Sequence, residues 1–233
     1  MIKTAILVDG GFWRRKIVQY VGNEPPAAAA DRLFRYCMQH ISHSKEDCSL
    51  YRVLYYDCPP SEKKVYHPLL QRTVDLKKDS IYRWNTDFFT CLKKKRKFAL
   101  RMGKLAEDQL VYNLKSPATK DLLSGKRTME ELTEADFTLS IKQKGVDMRI
   151  GIDIVSMALK KQVEKIILIS GDSDFTPAAK FARREGIDFV LDPMGATIKT
   201  ELSEHIDGLT SFVSSLKRLM IDSSGDVEKH VEE

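Results

Sequence analysis

The chain has 233 residues, of which 42% are hydrophobic and 30% are charged, with a formal net charge of +5. These totals are typical of a soluble globular protein. The apolar runs end after a few residues, which excludes a membrane-spanning helix of about 20 residues, and we expect no membrane partner. The start of the chain passes straight into a strand pattern without a signal-peptide cleavage region. The four cysteines lack metal-binding spacing, and together these features predict a cytoplasmic protein with reduced cysteines.

Residues Thr4 to Val8 form the first predicted strand, and an acid follows it directly. The run TAILV is apolar without alternation, as in a strand buried on both faces of a parallel sheet. It ends in Asp9-Gly10-Gly11, and these glycines allow backbone conformations or close approaches that a side chain would block. Alone, this is a weak signal for a functional site.

A helix and a second strand follow. Pro26 suits the first position of a helix that continues to about His43. Residues 50–56 are rich in branched and aromatic side chains and predict a strand. This strand ends in Asp57, which is either another acid at a strand terminus, like Asp9, or a solvated turn residue.

The segment Ser61–Lys104 carries the excess positive charge. It holds 13 basic and 4 acidic residues, a local net charge of +9. The run Lys93–Lys97 has Phe88, Phe89 and Phe98 beside it, and basic residues among aromatic ones suit a nucleic-acid backbone and its bases. The alternative is a solvated helix face whose aromatic residues belong to the core.

A second informative stretch, QKGVDMRIGIDIVSM, covers residues 143–157. Ile150, Ile154 and Ala158 share one face of a predicted helix. Asp147 lies near the middle of that arc and in the first turn, where an acid also favours the helix dipole. Asp153 lies toward the edge of the arc and roughly 9 Å further along, so we rank Asp147 above it as a site residue.

The central motif is IILISGDSDF, at residues 166–175. The branched run Ile166–Ile169 predicts another buried parallel strand, and Asp172 and Asp174 follow it. Ligands of open α/β sheets gather at the carboxyl ends of strands, where two acids suit a hard cation. The alternative is that Asp174 or Thr176 only caps a helix before Pro177. That alternative leaves Asp172 unexplained.

The remaining pattern completes one predicted domain. We expect a helix over 178–185, a strand over 188–191 and a helix over 199–206. Residues 1–220 are predicted to form a single domain with a basic elaboration at about 61–140, because residues 106–140 lack enough apolar residues for a core of their own. Residues 221–233 are polar and acidic, and predict a disordered tail.

Three motifs together resemble the NYN domain family of PIN-like predicted ribonucleases, with its LabA-type bacterial branch as the best resemblance. They are VDGG at the first strand, QKGVDMRIGIDI on the helix, and LISGDSDFTPAAKFARREG. The resemblance covers about 1–57 and 143–209, and nothing matches in the basic segment between them. It implies an α/β fold, a three-layer α/β/α PIN-like domain with a central, mainly parallel sheet.

The resemblance also implies a metal-dependent ribonuclease that uses Mg²⁺ or Mn²⁺ and acts on RNA. By position, Asp9, Asp147, Asp172 and Asp174 match the catalytic and metal-binding acids of the family, and Asp153 matches a second metal-binding acid on the helix. One position departs from the family: many relatives have an asparagine three residues after the first acid, where this chain has Phe12. That departure affects the positioning of substrate or of a water molecule.

Carboxylates from separate segments that meet at one edge repel each other, and a cation relieves that repulsion. Mg²⁺ and Mn²⁺ prefer such oxygen ligands. We therefore expect Asp9 and Asp172 as direct ligands, Asp147 and Asp174 as ligands or orienting groups through water, and one acid as an alternative general base. The candidates for substrate binding are Lys144, Lys93, Lys94 and Lys95.

Other functions stay open at this stage. A non-catalytic RNA- or protein-binding module would share the fold and the basic segment. An aspartyl phosphatase would need a second acid two residues after Asp9, where Gly11 stands, and a nucleotide-sugar transferase would need a recognition motif that we do not find. A homo-oligomer is also left open.

Overall fold

The computed structural model describes residues 1–216 as an alternation of strands and helices. In chain order these are β1 (Ile2–Asp9), α1 (Gly10–Val21), α2 (Pro26–Ser42), β2 (Cys48–Asp57), β3 (Lys64–His67), β4 (Arg72–Asp75), α3 (Ser80–Lys93), β5 (Phe98–Met102), β6 (Lys104–Leu105), β7 (Val111–Leu114), α4 (Ser116–Leu123), β8 (Phe137–Ser140), β9 (Gln143–Lys144), α5 (Val146–Leu159), β10 (Lys165–Ile169), α6 (Thr176–Arg184), β11 (Asp188–Asp192), α7 (Thr200–Ser203) and β12 (Gly208–Leu209).

A six-stranded sheet in the order β12-β11-β10-β1-β2-β5 is the centre of the first of two units, and every neighbouring pair in it is parallel. This unit comprises Met1–Asp57, Asp87–Met102 and the described residues from Gly145 onward. The apolar runs of β1 and β10 lie side by side, with Val8 opposite Ile169, and their side chains are buried. The predicted parallel strands are therefore confirmed. Both faces of such a sheet are covered, so its central strands consist of unbroken apolar runs.

The connections leave β1 and β10 in opposite directions. From β1 the chain passes through α1 and α2 to β2 on one side, and from β10 it passes through α6 to β11 on the other. Since parallel crossovers are right-handed, α1 and α2 cover one face of the sheet and α6 covers the other, together with α5, against which it packs. The predicted three-layer α/β/α fold is therefore confirmed. The switch in direction between β1 and β10 opens the crevice where such sheets bind ligands.

The second unit comprises Cys58–Thr86 and Gly103–Lys144. It contains three antiparallel pairs, β3-β4, β6-β9 and β7-β8, and the helix α4. The ring of the buried His67 lies 4.3 Å from that of Tyr112 and 5.2 Å from that of Phe137, and these two rings are half-buried. Arg127 forms an ion pair with Asp136, with 2.9 Å between Nη2 and Oδ2. The same Oδ2 accepts a hydrogen bond from the backbone N–H of Thr133.

Some element bounds differ from the sequence prediction. Residues 98–105, FALRMGKL, have the composition of one strand, but β5 ends at Met102 and the chain then enters the second unit, where Lys104 and Leu105 pair with β9. The helix expected over 199–206 is the single turn α7. No helix among the described residues is long and apolar enough to cross a membrane. The organisation of 1–220 as one domain stays a prediction, and the tail predicted at 221–233 lies outside the described residues.

Candidate active site

Asp9 stands at the carboxyl end of β1, next to the end of β10. Its Oδ1 accepts a hydrogen bond of 3.0 Å from the backbone N–H of Phe12, and its Oδ2 accepts one of 3.4 Å from the hydroxyl of Ser170. The Ser170 hydroxyl also accepts the N–H of Asp172 at 3.2 Å. One serine therefore links the acid that follows β1 to the acid that follows β10.

Asp172 and Asp174 lie in the turn between β10 and α6, and both are exposed. The Oδ1 of Asp172 accepts the N–H of Asp174 at 3.0 Å and so begins the short turn Ser173–Phe175. The residue before α6 is Phe175, which makes no side-chain cap, and the Thr176 hydroxyl donates to the Ser173 carbonyl at 2.7 Å. The acid that caps here is thus Asp172, and the carboxylate of Asp174 is not the helix cap that the alternative reading required.

Asp147 reaches the same edge from a third segment. It is exposed in the first turn of α5, which begins after Gly145, whose φ of 77° is in the left-handed region. Because α5 leads into β10, its first turn lies at the carboxyl edge of the sheet. Burial raises the pKa of Asp147, and the charges of Asp172 and Asp174 raise that pKa further. The structure therefore brings Asp147 into the electric field of both acids after β10.

Asp9 belongs to the same electrostatic group. Burial is the largest cause that raises the pKa of its carboxyl, and the charges of Asp147 and Asp57 add to this. The N–H of Phe12 and the positive charge of Arg15 lower the pKa of Asp9 in opposition. Since negative charges raise each other's pKa at this edge, a bound cation would relieve an existing repulsion.

The carboxylates share an edge without forming a closed cage. Among residues 1–216, no three His, Cys, Asp or Glu side chains stand close enough to hold a metal ion. Mg²⁺ differs from cations that need such cages, since it keeps several waters and is usually bound through one or two carboxylates together with substrate phosphates. These carboxylates are thus suited to a hydrated Mg²⁺ or Mn²⁺ ion. Residues 1–216 contain no cluster of three ligands that could hold an ion without its waters.

Two other strands of the sheet also end in acids, but their oxygens are occupied. Asp57, at the end of β2, is fully buried and accepts from Arg14 at 3.0 Å and from the Tyr55 hydroxyl at 3.1 Å. Asp192, at the end of β11, is also fully buried and accepts from Tyr36 at 2.6 Å. A second bond of 2.9 Å joins Asp192 to Nε2 of His40. Asp57 is therefore a buried ion-pair residue, and the solvated turn considered from the sequence is wrong.

Asp153 does not join the acids at the edge. It is buried, and its two oxygens face the guanidinium of Arg101, with Nε 2.8 Å from Oδ2. The Tyr56 hydroxyl donates to the same Oδ2 at 2.8 Å. The pKa of Tyr56 is raised by burial and then by the charge of Asp153. These contacts tie α5 to β2 and β5, so we remove Asp153 from the set of metal ligands.

The basic run is placed at the other edge of the sheet. Since β5 runs parallel to β2, the residues before Phe98 lie where the strands begin, and a five-residue strand spans about 17 Å. Lys95 forms an ion pair with Asp31 on α2, and Lys93 and Lys94 are exposed. The structure does not bring these three lysines to the acids, although a role in binding RNA stays a prediction.

The aromatic residues beside the basic run are core residues. Phe88, Phe89 and Phe98 are at most 8% exposed and pack around Tyr55 at ring distances between 5.8 and 6.3 Å. Buried rings cannot stack on the bases of RNA. The interpretation that these aromatic residues contact bases is therefore wrong. Lys144 belongs to the second unit, in β9, with its Nζ 4.0 Å from Oδ1 of Asp108.

Sequence reasoning missed the basic residues of α1. Arg14 pairs with Asp57, and the charge of Arg15 acts on Asp9. The signal was present in the run WRRK, two residues after the glycines that follow Asp9. A helix that begins directly after a strand-end acid keeps its first turns beside that acid.

The chain matches a family model and is similar to solved structures. The model of the NYN domain matches residues 87–211, which include Asp147, Asp172 and Asp174 but not Asp9. Because this range contains residues 87–142, the expectation that nothing in the basic segment matches the family is wrong. Among solved structures, the chain is similar to a Vibrio parahaemolyticus protein of unknown function, with 14% identity, a TM-score of 0.47, and coverage of 91% of this chain and 93% of that chain. It is also similar to a structure of Sir2 enzymes, with 8% identity, a TM-score of 0.32, and coverage of 98% and 94%. None of the curated proteins matches the chain.

Proposed function

The chain belongs to the NYN domain family, whose model matches more than half of it, and from this premise we propose that it is a metal-dependent ribonuclease that hydrolyses RNA phosphodiester bonds. NYN domains are generally predicted ribonucleases of PIN-like fold. The dependence on Mg²⁺ or Mn²⁺, the acids that hold the ion and the RNA substrate belong to the proposal.

One observation carries the proposal. Carboxylates from three separate segments, Asp9, Asp147 and the pair Asp172 and Asp174, lie at the carboxyl edge and raise pKa values within the group. This edge is at the switch point between β1 and β10. The other acids at the strand ends are held by Arg14, Tyr36 and His40. The four acids are therefore the ones whose repulsion a cation could relieve.

Asp9 and Asp172 would hold the ion directly, because the Ser170 hydroxyl contacts the side chain of one and the backbone of the other. Asp147 and Asp174, which neither accept from nor donate to Ser170, would act as further ligands or through water. When bound, Mg²⁺ or Mn²⁺ supplies positive charge for the phosphate oxygens and lowers the pKa of water.

The side chains themselves supply orientation and a proton acceptor. The N–H of Phe12 and the hydroxyl of Ser170 each hold one oxygen of Asp9, which restricts the rotation of its carboxylate. Asp147 has a raised pKa and faces solvent, so it is the acid best suited to take a proton from an attacking water. This step leaves the proton on the carboxylate oxygen, forms the bond between the water oxygen and phosphorus, and breaks the bond between phosphorus and the leaving ribose oxygen, which takes a proton from solvent.

A cleavage assay tests the proposal. Single-stranded and structured RNA are incubated with the full chain in Mn²⁺, in Mg²⁺ and in a chelator, and we expect cleavage only with metal. Asp172→Asn should lose at least 100-fold in rate, about 2.7 kcal/mol of barrier. Asp47→Asn is the matched control, because Asp47 is an exposed acid just before β2, at the opposite edge. Equal cleavage by Asp172→Asn and the parent would contradict the assignment of the site.

A second candidate is a binding module without catalysis. This candidate is favoured by Phe12, which stands in place of the asparagine of many relatives. It is also favoured because no three acids, histidines or cysteines among residues 1–216 lie close enough together to hold a metal ion. Such a module would bind RNA or a protein with the same affinity in chelator and in metal, and no RNA would be cut by the parent chain.

A further inference from the structure

We propose that Arg15 and Lys16, near the Asp9 end of α1, bind the phosphates of one RNA strand and lead that strand to the acids. This inference rests on the proposed function and names the surface that holds its substrate. It assigns the binding of phosphate to a helix that the sequence pattern did not single out.

The position of Arg15 is the first step. Arg15 is exposed, and α1 begins at Gly10, directly after Asp9. Arg15 lies in the second turn of α1, about 7.5 Å along the helix axis from Gly10, which is within the screening length of about 10 Å at 0.1 M salt. A phosphate that approaches Asp9 therefore enters the field of Arg15. An acidic edge repels RNA by itself, so a nearby cation is needed to hold the substrate.

The surroundings of Lys16 are the second step. Its Nζ lies 5.9 Å from the centre of the Phe12 ring and 5.8 Å from that of Tyr20, residues one turn before and one turn after it. Aromatic rings attract a cation without neutralising its charge. Tyr20 is held in turn, because its hydroxyl donates to the Met194 carbonyl at 2.8 Å. The ammonium group is thus positioned by rings and keeps its full charge for an anion.

The partners of the neighbouring cations are the third step. Arg14 is committed to Asp57 at 3.0 Å, and Lys95 is committed to Asp31. Within residues 1–216, neither Arg15 nor Lys16 forms an ion pair. They are consecutive residues near the Asp9 end of α1, and Phe12, Lys16 and Tyr20 share one face at a spacing of four residues. That face carries Lys16, and Arg15 lies about 100° away from it around the helix axis. These two adjoining cations, called the strip below, can contact neighbouring phosphates of a single strand.

Phe12 connects the strip to the site. Its backbone N–H holds Asp9, and its ring packs so closely on Gly171 that a Cβ there would lie 2.7 Å from Cε2. The same residue therefore contacts one acid, adjoins the turn that carries Asp172, and supports the ammonium group of Lys16. This gives a physical use to the aromatic side chain where many relatives have asparagine.

Binding measured without cleavage tests the inference. The full chain carrying Asp172→Asn is titrated, without metal, against a fluorescent oligouridylate of about ten nucleotides, within the site sizes of single-strand-binding folds. Adding Arg15→Gln and Lys16→Gln should weaken binding at least tenfold and reduce the slope of log affinity against log salt by roughly 0.7 for each lost contact. Lys16→Arg with Arg15 intact should keep most of the parent's slope, because arginine also places a cation over the rings of Phe12 and Tyr20.

The matched control removes the same charge from the opposite edge. Lys45 and Lys160 are exposed and lie just before β2 and just after α5, and their replacement by Gln should leave affinity and slope unchanged. Arg15→Gln alone is an exposed change that leaves stability nearly intact, so it remains informative if the double variant unfolds. An unchanged slope for Arg15→Gln and Lys16→Gln, or an equal loss in the control, would overturn the inference.

The outcomes also separate this inference from the proposed function. If Arg15→Gln and Lys16→Gln reduce the salt slope but the parent chain never cuts RNA, the strip is supported and the ribonuclease is contradicted. Metal-dependent cleavage with an unchanged slope would support the ribonuclease and contradict the strip. A duplex RNA of the same length is expected to bind more weakly, since the strip follows one backbone, and tighter binding of the duplex would count against a single strand.

Discussion

The ring of Phe12 fills the space in which a side chain at Gly171 would begin, because a Cβ at that position would lie only 2.7 Å from Cε2 of the ring. Phe12 comes from the first turn of α1, and Gly171 comes from the turn that carries Asp172. The contact therefore holds together the two segments that supply acids on either side of the switch point.

Gly171→Ala should disturb this contact. We expect a loss of about 1–3 kcal/mol in stability, as for other additions to a packed interior, and a lower rate of RNA cleavage. Combining it with Phe12→Leu should recover part of the stability, because a smaller side chain makes room for the methyl group. Thermal unfolding of both single variants and of the double variant measures this coupling. Strictly additive effects would show that the two residues do not interact.

Divalent cations should stabilise the chain. A ligand that binds only the folded protein raises its stability by mass action, by about 2.7 kcal/mol at a concentration 100 times its Kd. We expect Mg²⁺ or Mn²⁺ at millimolar concentration to raise the Tm in calorimetry, and Asp9→Asn together with Asp172→Asn to abolish the shift. A Tm that stays constant up to these concentrations would count heavily against the cation site.

Asp9→Asn should change the pH dependence of stability in the absence of metal. The pKa of Asp9 in the folded chain is raised above its ordinary value of 3.8, chiefly by burial. The parent therefore loses stability as the pH rises from about 3.8 through the folded pKa, since the charged form is then disfavoured in the fold. The variant carries no charge at this position and therefore does not lose stability in this way. Its amide oxygen can still accept the hydrogen bond from the backbone N–H of Phe12.

The difference in Tm, variant minus parent, should therefore be more positive at pH 7 than at pH 3. Denaturation curves at a series of pH values in chelator measure it. A difference that stays constant, or that falls as the pH rises, would show that the charge of Asp9 carries no cost in the folded state.

Asp153→Ala should separate stability from metal binding. The substitution leaves Arg101 and Tyr56 without their shared acceptor, and hydrogen bonds to charged groups are each worth about 1.5–3 kcal/mol. We expect a lower Tm with an unchanged shift on addition of Mn²⁺. Asp147→Ala is the comparison variant and should behave in the opposite way, with a nearly unchanged Tm and a smaller shift. Loss of the shift in Asp153→Ala alone would return Asp153 to the set of ligands.

The lysines before β5 should matter only for long RNA. Lys93 and Lys94 lie at the edge of the sheet opposite the acids. Their replacement by Gln should leave the affinity for an oligonucleotide of about four nucleotides unchanged and reduce that for one of about thirty, which exceeds the size of a single site. Fluorescence anisotropy with both probes tests this. Equal losses for both lengths would mean that these lysines bind RNA next to the acids.

The sequence by itself determined the parallel sheet and the edge at which the acids lie. Unbroken apolar runs such as Ile166–Ile169 have no solvent-facing side, and a strand of this kind is stable only when both of its faces are covered. Because all strands of a parallel sheet end at one edge, the acids after β1 and β10 had to meet there. The first turn of α5 had to reach the same edge, because that helix leads into β10. Asp9, Asp147 and Asp172 could be grouped on this reasoning alone.

Only the tertiary structure decided which charged residues are already paired. Asp153 and Asp57 carry the same carboxylate as Asp9, but distant residues, Arg101 and Arg14, hold their oxygens. The spacing of residues along the chain contains no record of such partners. The basic run before β5 likewise has high charge in the sequence and lies at the opposite edge in the fold, because its place depends on the direction of the strand that follows it. Ion pairs between distant segments form only once packing has brought the elements together.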